Sequence, residues 1–509
     1  MDFTEISGEV SEVFCLHFTA FFQFAHRRFM VSFRLFLLAC FLLPVSIFSE
    51  GEKVAIDLNE SKRLSKQVLE EKRSGWYATG LPVFSEDPVR GQGYGARGFL
   101  YQNGNRSDPY FEFQPYKYRF GAQAYKTTKG ADYYEFTFDS PFLFDTAYRL
   151  KTSISYSTNK NSQYFGIGTS TLREIQYRDQ NQPTGELKNG GSFSDLEDAL
   201  SYRRPSSPRS IYPYESNVLY NTYEFRSTTA TFSVDKTFWG AFRWIVAPEF
   251  SQNVIRTYDY PNGRIATNGD YYSVARDPAT GWGSSYPNGT SKLTRDYQAG
   301  LINGYHGGNV NYIHVGFAYD TRDFEPDPDS GVLLEMNYSS SSKRAGSDFE
   351  FEKFFTQGKF FYMPFPKLFE ELVVAGRAGL HYSKGEVPFS EYRYMWSIDG
   401  PINGLGGLQT LRGYRQERFI APMIGFGNLE IRWRFSTFKF WDQLITLSLV
   451  PFYDFGRVWN GYHDFSTQGY KFSYGTGLRI IWNQATVILI DYAKSREDSQ
   501  LFIDIGQIF

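Results

Sequence analysis

The sequence predicts an all-β fold, a sixteen-stranded antiparallel transmembrane barrel. Three observations carry this. Apolar and polar residues alternate with period two through most of the chain, most clearly toward its end. Sixteen such runs can be counted, an even number, as bacterial barrels have. The long connections all follow odd-numbered runs, so long loops gather at one rim and short turns at the other. Composition agrees. Aromatic residues make up 19% of 509, with 38 Tyr and 49 Phe, enough for two interfacial girdles. Mean hydropathy is −0.42, too polar for a helical membrane protein but not for a barrel with one lipid-facing side. No apolar run of 18 residues occurs after position 50, which argues against a transmembrane helix there. A net charge of −2 excludes the basic stripe of a nucleic-acid binder.

The chain begins with export signals. Arg27, Arg28 and Arg34 precede an apolar stretch from Leu35 to Phe48, and small and charged residues follow. This reads as a signal peptide over residues 1–49, with Met30 an alternative start. Leu37-Leu38-Ala39-Cys40 imitates a lipoprotein box without its usual flanks. Cys15 and Cys40 both precede the cleavage point, so the mature chain has no thiol chemistry. Residues 50–76 form a short charged periplasmic lead, one helix or none.

The barrel is expected over 77–509. Its strands are placed at 78–84, 92–103, 111–127, 132–140, 148–157, 222–236, 241–258, 309–321, 331–341, 348–363, 371–384, 425–436, 445–459, 470–482, 485–495 and 499–509. The first contains Gly80 and Pro82, and proline belongs at a sheet edge. The long connections 158–221, 259–308 and 385–424 follow strands five, seven and eleven. Within the first, the residues from Ser194 to Tyr202 suit a helical turn. Leu429, Ile431, Trp433 and Phe435 share one face of strand twelve, and Asn428, Glu430, Arg432 and Arg434 share the other. Leu447, Leu449, Tyr453 and Phe455 oppose Thr446, Ser448, Asp454 and Gly456 on strand thirteen. Phe472, Tyr474, Leu478, Ile480 and Trp482 oppose Lys471, Ser473 and Arg479 on strand fourteen. Apolar faces toward lipid and polar faces toward a lumen is the economical assignment. A soluble two-sheet sandwich would alternate too, but the export signal and strand count oppose it.

Just before strand twelve lies Gly404-Leu405-Gly406-Gly407, then Leu411-Arg412-Gly413-Tyr414. The glycines allow tight turns, and Arg412 carries a planar five-donor fork. Asn428-Leu429-Glu430-Ile431-Arg432 follows. Phe452-Tyr453-Asp454-Phe455-Gly456 spells F-x-D-x-G. Tyr319-Asp320-Thr321-Arg322-Asp323 precedes Pro328 and Gly331. These pieces, in this order, resemble the bacterial surface antigen family, outer-membrane barrels of the BamA/TamA type. The motif-level resemblance covers about residues 310–509. It implies a loop folded inward between strands eleven and twelve. In it Gly407, Leu411, Arg412, Gly413 and Tyr414 form the loop motif, and Arg412 pairs with Glu430 and Asp454, near Gly456. It also implies that the terminal strand ending at Phe509 is the signal read by the barrel-assembly machinery. Family members carry POTRA domains before the barrel, for which residues 50–76 leave no room, so a separate periplasmic partner would have to substitute.

Gly93, Gly95 and Gly98 spell G-x-G-x-x-G, but strand residues follow where a dinucleotide site needs a helix. H-E-x-x-H, C-x-x-C and G-x-S-x-G are absent from the sequence. His314 and His381 fall on lumen faces and read as satisfied lumen histidines; His306 and His463 are scattered. Asp320, Asp323, Asp327 and Asp329 read as a solvated acidic turn rather than a calcium loop. No cofactor is implied, and the expected surroundings are outer-membrane lipid. Two functions remain: assisted insertion or translocation of polypeptide or lipid at the outer membrane, or a passive channel or structural barrel. An enzyme such as a barrel lipase would need a Ser–His pair, and none is evident from the sequence.

Overall fold

The structure, a computed structural model, describes residues 75–509. Exceptions are 88, 109, 179–186, 191–192, 194–220, 258–263, 266–270, 273–290, 324–326, 365–371, 441–442, 483–485 and 506. Before residue 75 it describes Leu64, Leu69, Lys72 and Ser74. The expected signal peptide, both cysteines and the Ser194 turn lie outside the described residues.

Sixteen strands close into one antiparallel barrel. They are β1 (Trp76–Asp87), β2 (Gly91–Gln102), β3 (Tyr118–Thr127), β4 (Ala131–Ser140), β5 (Tyr148–Gln163), β6 (Thr222–Phe238), β7 (Phe242–Thr257) and β8 (Gly307–Asp320). The second half comprises β9 (Gly331–Ser341), β10 (Phe351–Tyr362), β11 (Leu372–Gly385), β12 (Met423–Phe440), β13 (Gln443–Trp459), β14 (Lys471–Trp482), β15 (Thr486–Lys494) and β16 (Ser499–Ile505). Each pairs with its sequence neighbours. The closing seam is thinner than the other joints. Every residue of β1 is in register with β2, whereas among the described residues β1 meets β16 at one register pair, Glu86 with Ile503.

Alternation sets which face each side chain takes. Leu429, Ile431, Trp433 and Phe435 of β12 are exposed on the outside, as are Leu449 and Tyr453 of β13 and Phe472, Tyr474 and Trp482 of β14. Asn428, Glu430, Arg432, Ser448, Asp454, Ser473 and Arg479 are buried on the inside. Apolar outside and polar inside is the reverse of a soluble protein and suits a lipid solvent. The bulge between Arg434 and Ser436 shifts the β12–β13 register near the end of that strand. Short turns close one rim. In the β6–β7 turn Trp239 and Gly240 adopt positive φ of 48° and 70°, the primed geometry that suits strand twist. The opposite rim bears the long connections after β5, β7 and β11. The connection after β7 includes helix α1 (Lys292–Gln298), capped by the Ser291 side chain.

Four strand expectations need correction. β5 runs to Gln163 rather than 157, past a register shift between Asn159 and Ser162, and β12 runs to Phe440 rather than 436. β3 begins at Tyr118, not 111. Residues 103–117 fold instead as turns at the short-turn rim. Lys72 of the lead donates to the carbonyls of Phe111 (2.6 Å) and Gln114 (2.7 Å), and Tyr116 donates to Asp139 (2.7 Å). These bonds replace the ladder that a longer strand would have made. The final strand ends at Ile505, not 509. Gln507 donates to Asp327 (2.8 Å), and Phe509 is buried beside Phe361, Val373 and Ala375, all on inward positions of β10 and β11.

Candidate functional site

The connection between β11 and β12, residues 386–422, bears the expected motif. Two legs can be followed through it. The first runs from Glu391 to Asp399 along β7–β10. Glu391 accepts from Tyr312 (2.6 Å) and Lys353 (2.8 Å), and Tyr394 donates to Glu249 (2.9 Å). Trp396 stacks on His314, with ring centres 4.6 Å apart. Ser397 donates to Glu335 (2.6 Å). Asp399 accepts from Lys359 (2.7 Å) and from Arg322 (3.1 and 3.3 Å) at the short-turn rim. Burial would raise the pKa of Asp399, but Lys359 and Arg322 outweigh it and hold the carboxyl well below its usual range.

The return leg contains the glycines and Arg412. Gly404, Gly406 and Gly407 have φ of 52°, 120° and 84°, conformations that side chains resist. The amide of Gly407 bonds the Tyr414 carbonyl (2.8 Å), closing a compact turn around Leu411. Leu405, Leu411, Tyr414 and Phe419 pack with Ile424 and Phe426 of β12, Val458 of β13 and Phe355 of β10. A Cβ on Gly413 would lie 2.7 Å from both the Lys494 backbone carbon and the Ser473 Cβ, so the chain approaches β14 and β15 closely there. Gly456 sits against Leu405, and a Cβ there would collide with it.

Arg412 has no exposed side-chain surface. Its Nε and Nη2 grip Asp454 of β13 at 2.9 and 2.6 Å, and its amide adds a third bond to that carboxylate at 3.1 Å. Its Nη1 donates to Glu430 of β12 (2.8 Å) and to Asp491 of β15 (3.1 Å). The guanidinium lies 3.4 Å from the Phe452 ring centre. Burial alone would lower its pKa, but Asp454, Glu430 and Asp491 outweigh this and raise it well above the ordinary arginine value. The carboxylates have other partners. Asp454 also accepts from Asn428 (2.8 Å) and Ser473 (3.2 Å), Glu430 from Arg432 (3.0 Å), and Asp491 from Arg479. The sequence motifs do not include Asp491; it follows the apolar run Val487-Ile488-Leu489-Ile490 as the one acid of its strand, and that is the signal the sequence offers. Farther along, Arg418 bonds Glu497 (2.8 Å) and Arg415 bonds Asp498 (2.8 Å), tying the leg to the β15–β16 connection.

Three sequence readings change. The acidic turn is not a solvated one. Asp320 bonds Arg322, and Asp327 and Asp329 both pair with Arg434 of β12 (2.8 and 2.6 Å). His381 is fully buried, and among the described residues neither ring nitrogen has a hydrogen-bond partner, so it is not the satisfied lumen histidine expected. A Ser–His pair does exist: Ser339 Oγ lies 2.7 Å from His314 Nδ1, and His314 Nε2 lies 3.6 Å from Glu249. Trp396 covers the imidazole, so this group meets the loop rather than a cleft.

Comparison with known proteins follows from this architecture. Similar folds include BamA from Haemophilus ducreyi lacking POTRA domains 1–3, at 12% identity and a TM-score of 0.47, over 85% of this chain and 70% of that one. CdiB from Escherichia coli gives 9% and 0.46, over 86% of this chain and 63% of that one. CdiB from Acinetobacter baumannii gives 9% and 0.41, over 86% and 60%. The chain thus spans less than two thirds of either CdiB. No curated protein matches in sequence. Residues 54–117 match a domain of unknown function, DUF5982. Residues 116–509 match the Omp85 superfamily domain, and with most of its length so matched the chain belongs to the Omp85 superfamily, as a sixteen-stranded β-barrel of the outer membrane.

Proposed function

We propose that this protein assists the insertion or translocation of a polypeptide at the outer membrane, using the β1–β16 seam as the opening. The observation that carries this reading is the seam itself, held in register among the described residues at Glu86 and Ile503 while neighbouring strands are paired along their length. Few ladder bonds make it the cheapest joint to part. Pro82 lies on β1, where an amide donor is dispensable at an edge. In this reading the β11–β12 connection is folded into the barrel as a lock. Arg412 pins it to β12, β13 and β15, so the wall on that side stays rigid while the seam parts. The short-turn rim faces the periplasm, and assembly partners engage the chain there. No enzymatic step is assigned.

The test uses the full-length chain with Glu86→Cys and Ile503→Cys together, in proteoliposomes. The probe is a urea-denatured eight-stranded outer-membrane barrel, whose folding is timed. Wild type and the reduced double variant should accelerate folding, and the oxidised variant should not. Equal acceleration by oxidised and reduced forms would refute the seam as the route. A steady ion conductance in planar bilayers, unaffected by oxidation, would favour a passive channel instead.

A further inference from the structure

Four cations face inward near the short-turn rim on neighbouring strands, away from the Arg412 cluster. They are Arg119 on β3, Arg149 and Lys151 on β5, and Arg243 on β7. Two carboxylates lie among them. Asp139 of β4 stands in register between Arg119 and Lys151, and Asp235 of β6 stands opposite Arg149. Asp139 is fully engaged. It accepts from Tyr116 (2.7 Å), from Arg149 Nε and Nη2 (2.9 and 2.8 Å) and from Arg119 (3.3 Å). Asp235 is not: its approach to Arg243 is 3.9 Å, beyond a hydrogen bond, and its Oδ1 has no partner. The loop-tip carboxylate Asp399 acts on Arg243 through space, but its oxygens are taken by Lys359 and Arg322.

Two cations therefore keep unspent donors. Arg243 is 8% exposed, yet no hydrogen bond from its guanidinium occurs among the described residues, and its Nε is buried with the long 3.9 Å approach to Asp235 as its ion pair. The Lys151 ammonium has neither hydrogen bond nor ion pair among the described residues; Arg149 and Arg243 act on it through space, and Asp139 and Asp235 oppose them. A buried guanidinium without an acceptor is costly, because its water is lost and not replaced. Arg119, Arg149 and Lys151 keep part of their surface open, so Arg243 forms the floor of a site that the lumen can reach. Four positive charges against two negative leave an excess of two. A phosphate monoester brings about −1.5 to −2 at neutral pH and three acceptor oxygens. The guanidinium fork suits a phosphate edge, and a lysine ammonium supplies a point charge beside it.

We propose that Arg243 and Lys151 form a binding subsite for a dianionic phosphate group on the inner wall of the barrel near its short-turn rim. The group is either free inorganic phosphate or the phosphate monoester of a lipid headgroup. This does not depend on the seam or on the loop lock.

The experiment uses the full-length protein in phosphatidylcholine nanodiscs. Inorganic phosphate binding is followed by titration calorimetry. A parallel arm adds phosphatidic acid to the nanodiscs and asks whether it displaces phosphate. Wild type should bind phosphate saturably at millimolar concentration. Arg243→Gln and Lys151→Gln should each weaken it about tenfold or more. Lys343→Gln, at an exposed residue after β9 paired with Glu386, should leave it unchanged. Displacement by phosphatidic acid supports the site and identifies a lipid source; lack of displacement supports it and identifies a soluble one. Heat-modified gel migration reports folding, and if Arg243→Gln does not fold, Lys151→Gln, at a partly exposed position, carries the test. The proposal fails if wild type shows no saturable binding, or if Lys343→Gln weakens it as much as the two site variants.

Discussion

Arg412→Ala should loosen the β11–β12 connection without unfolding the barrel. The side chain makes four bonds to three carboxylates, all without exposed surface. Removing one partner of a buried ion pair typically costs about 3–5 kcal/mol, against about 0–1 for an exposed pair. Three separate pairs are not three separate costs here. After the truncation Asp454 keeps Asn428 and Ser473, Glu430 keeps Arg432, and Asp491 keeps Arg479. None is left alone, so the lower end applies, about 3 kcal/mol, or roughly a hundredfold more of the undocked loop. Arg412→Lys should recover only part of this, because an ammonium cannot grip Asp454 with two parallel bonds. Asp454→Ala should resemble Arg412→Ala, and the double variant should cost much less than the sum. The assay is urea unfolding of the folded barrel in detergent, with protease cleavage between residues 404 and 420 as the local readout. A cost below about 1 kcal/mol with the loop still protected would mean that Arg412 is not what holds it.

Four further outcomes are expected. Gly413→Val should expose the same loop to protease, because its side chain meets the Lys494 backbone, whereas Gly461→Ala, which meets nothing within 4 Å, should be silent. Asp399 should give the first leg an acid-sensitive hold. Its folded pKa is lowered, so an undocked carboxyl takes up its proton first; the contribution is complete above about pH 4 and is lost as pH falls below that. Hydrogen exchange of residues 394–403 should show this, and Asp399→Asn should remove the pH step. Lys72, lowered to about 8 by burial with Asp108 opposing, should make lead docking stronger as pH rises from about 8 to 10.5, since the undocked lysine binds the proton more tightly; protection of the Leu64 amide, corrected for intrinsic exchange, should increase over that range. Cysteines at positions 194 and 287 should react with an impermeant reagent on intact cells while one at position 328 should not, and labelling at 328 would reverse the barrel's orientation.

The strands were readable because lipid on one side and a polar interior on the other force a strict two-residue period. Leu429, Glu430, Ile431 and Arg432 declare their faces without any knowledge of their neighbours. The family motif was readable because Arg412, Glu430 and Asp454 each sit inside a recognisable local pattern. What failed was long-range. Residues 111–117 look like strand, yet Lys72 and Asp139 draw them into turns. The acidic turn looked solvated because Arg434, more than a hundred positions away, cannot be seen from it. Ser339 and His314 are 25 residues apart and meet only because β8 and β9 pair in that register. Helix α1 reads Lys-Leu-Thr-Arg-Asp-Tyr-Gln, seven residues, too short for a helical period to show.

The placement of residues 507–509 bears on biogenesis. The aromatic at the end of the chain is the residue that resembles an assembly address, yet it lies inside, with Arg432 donating to its carbonyl (2.9 Å) and Phe361 beside it. In the reading of Phe509 as an insertion signal, a receptor would have to engage it before it docks beside Phe361 and Arg432, and the docked barrel would no longer present that aromatic ring.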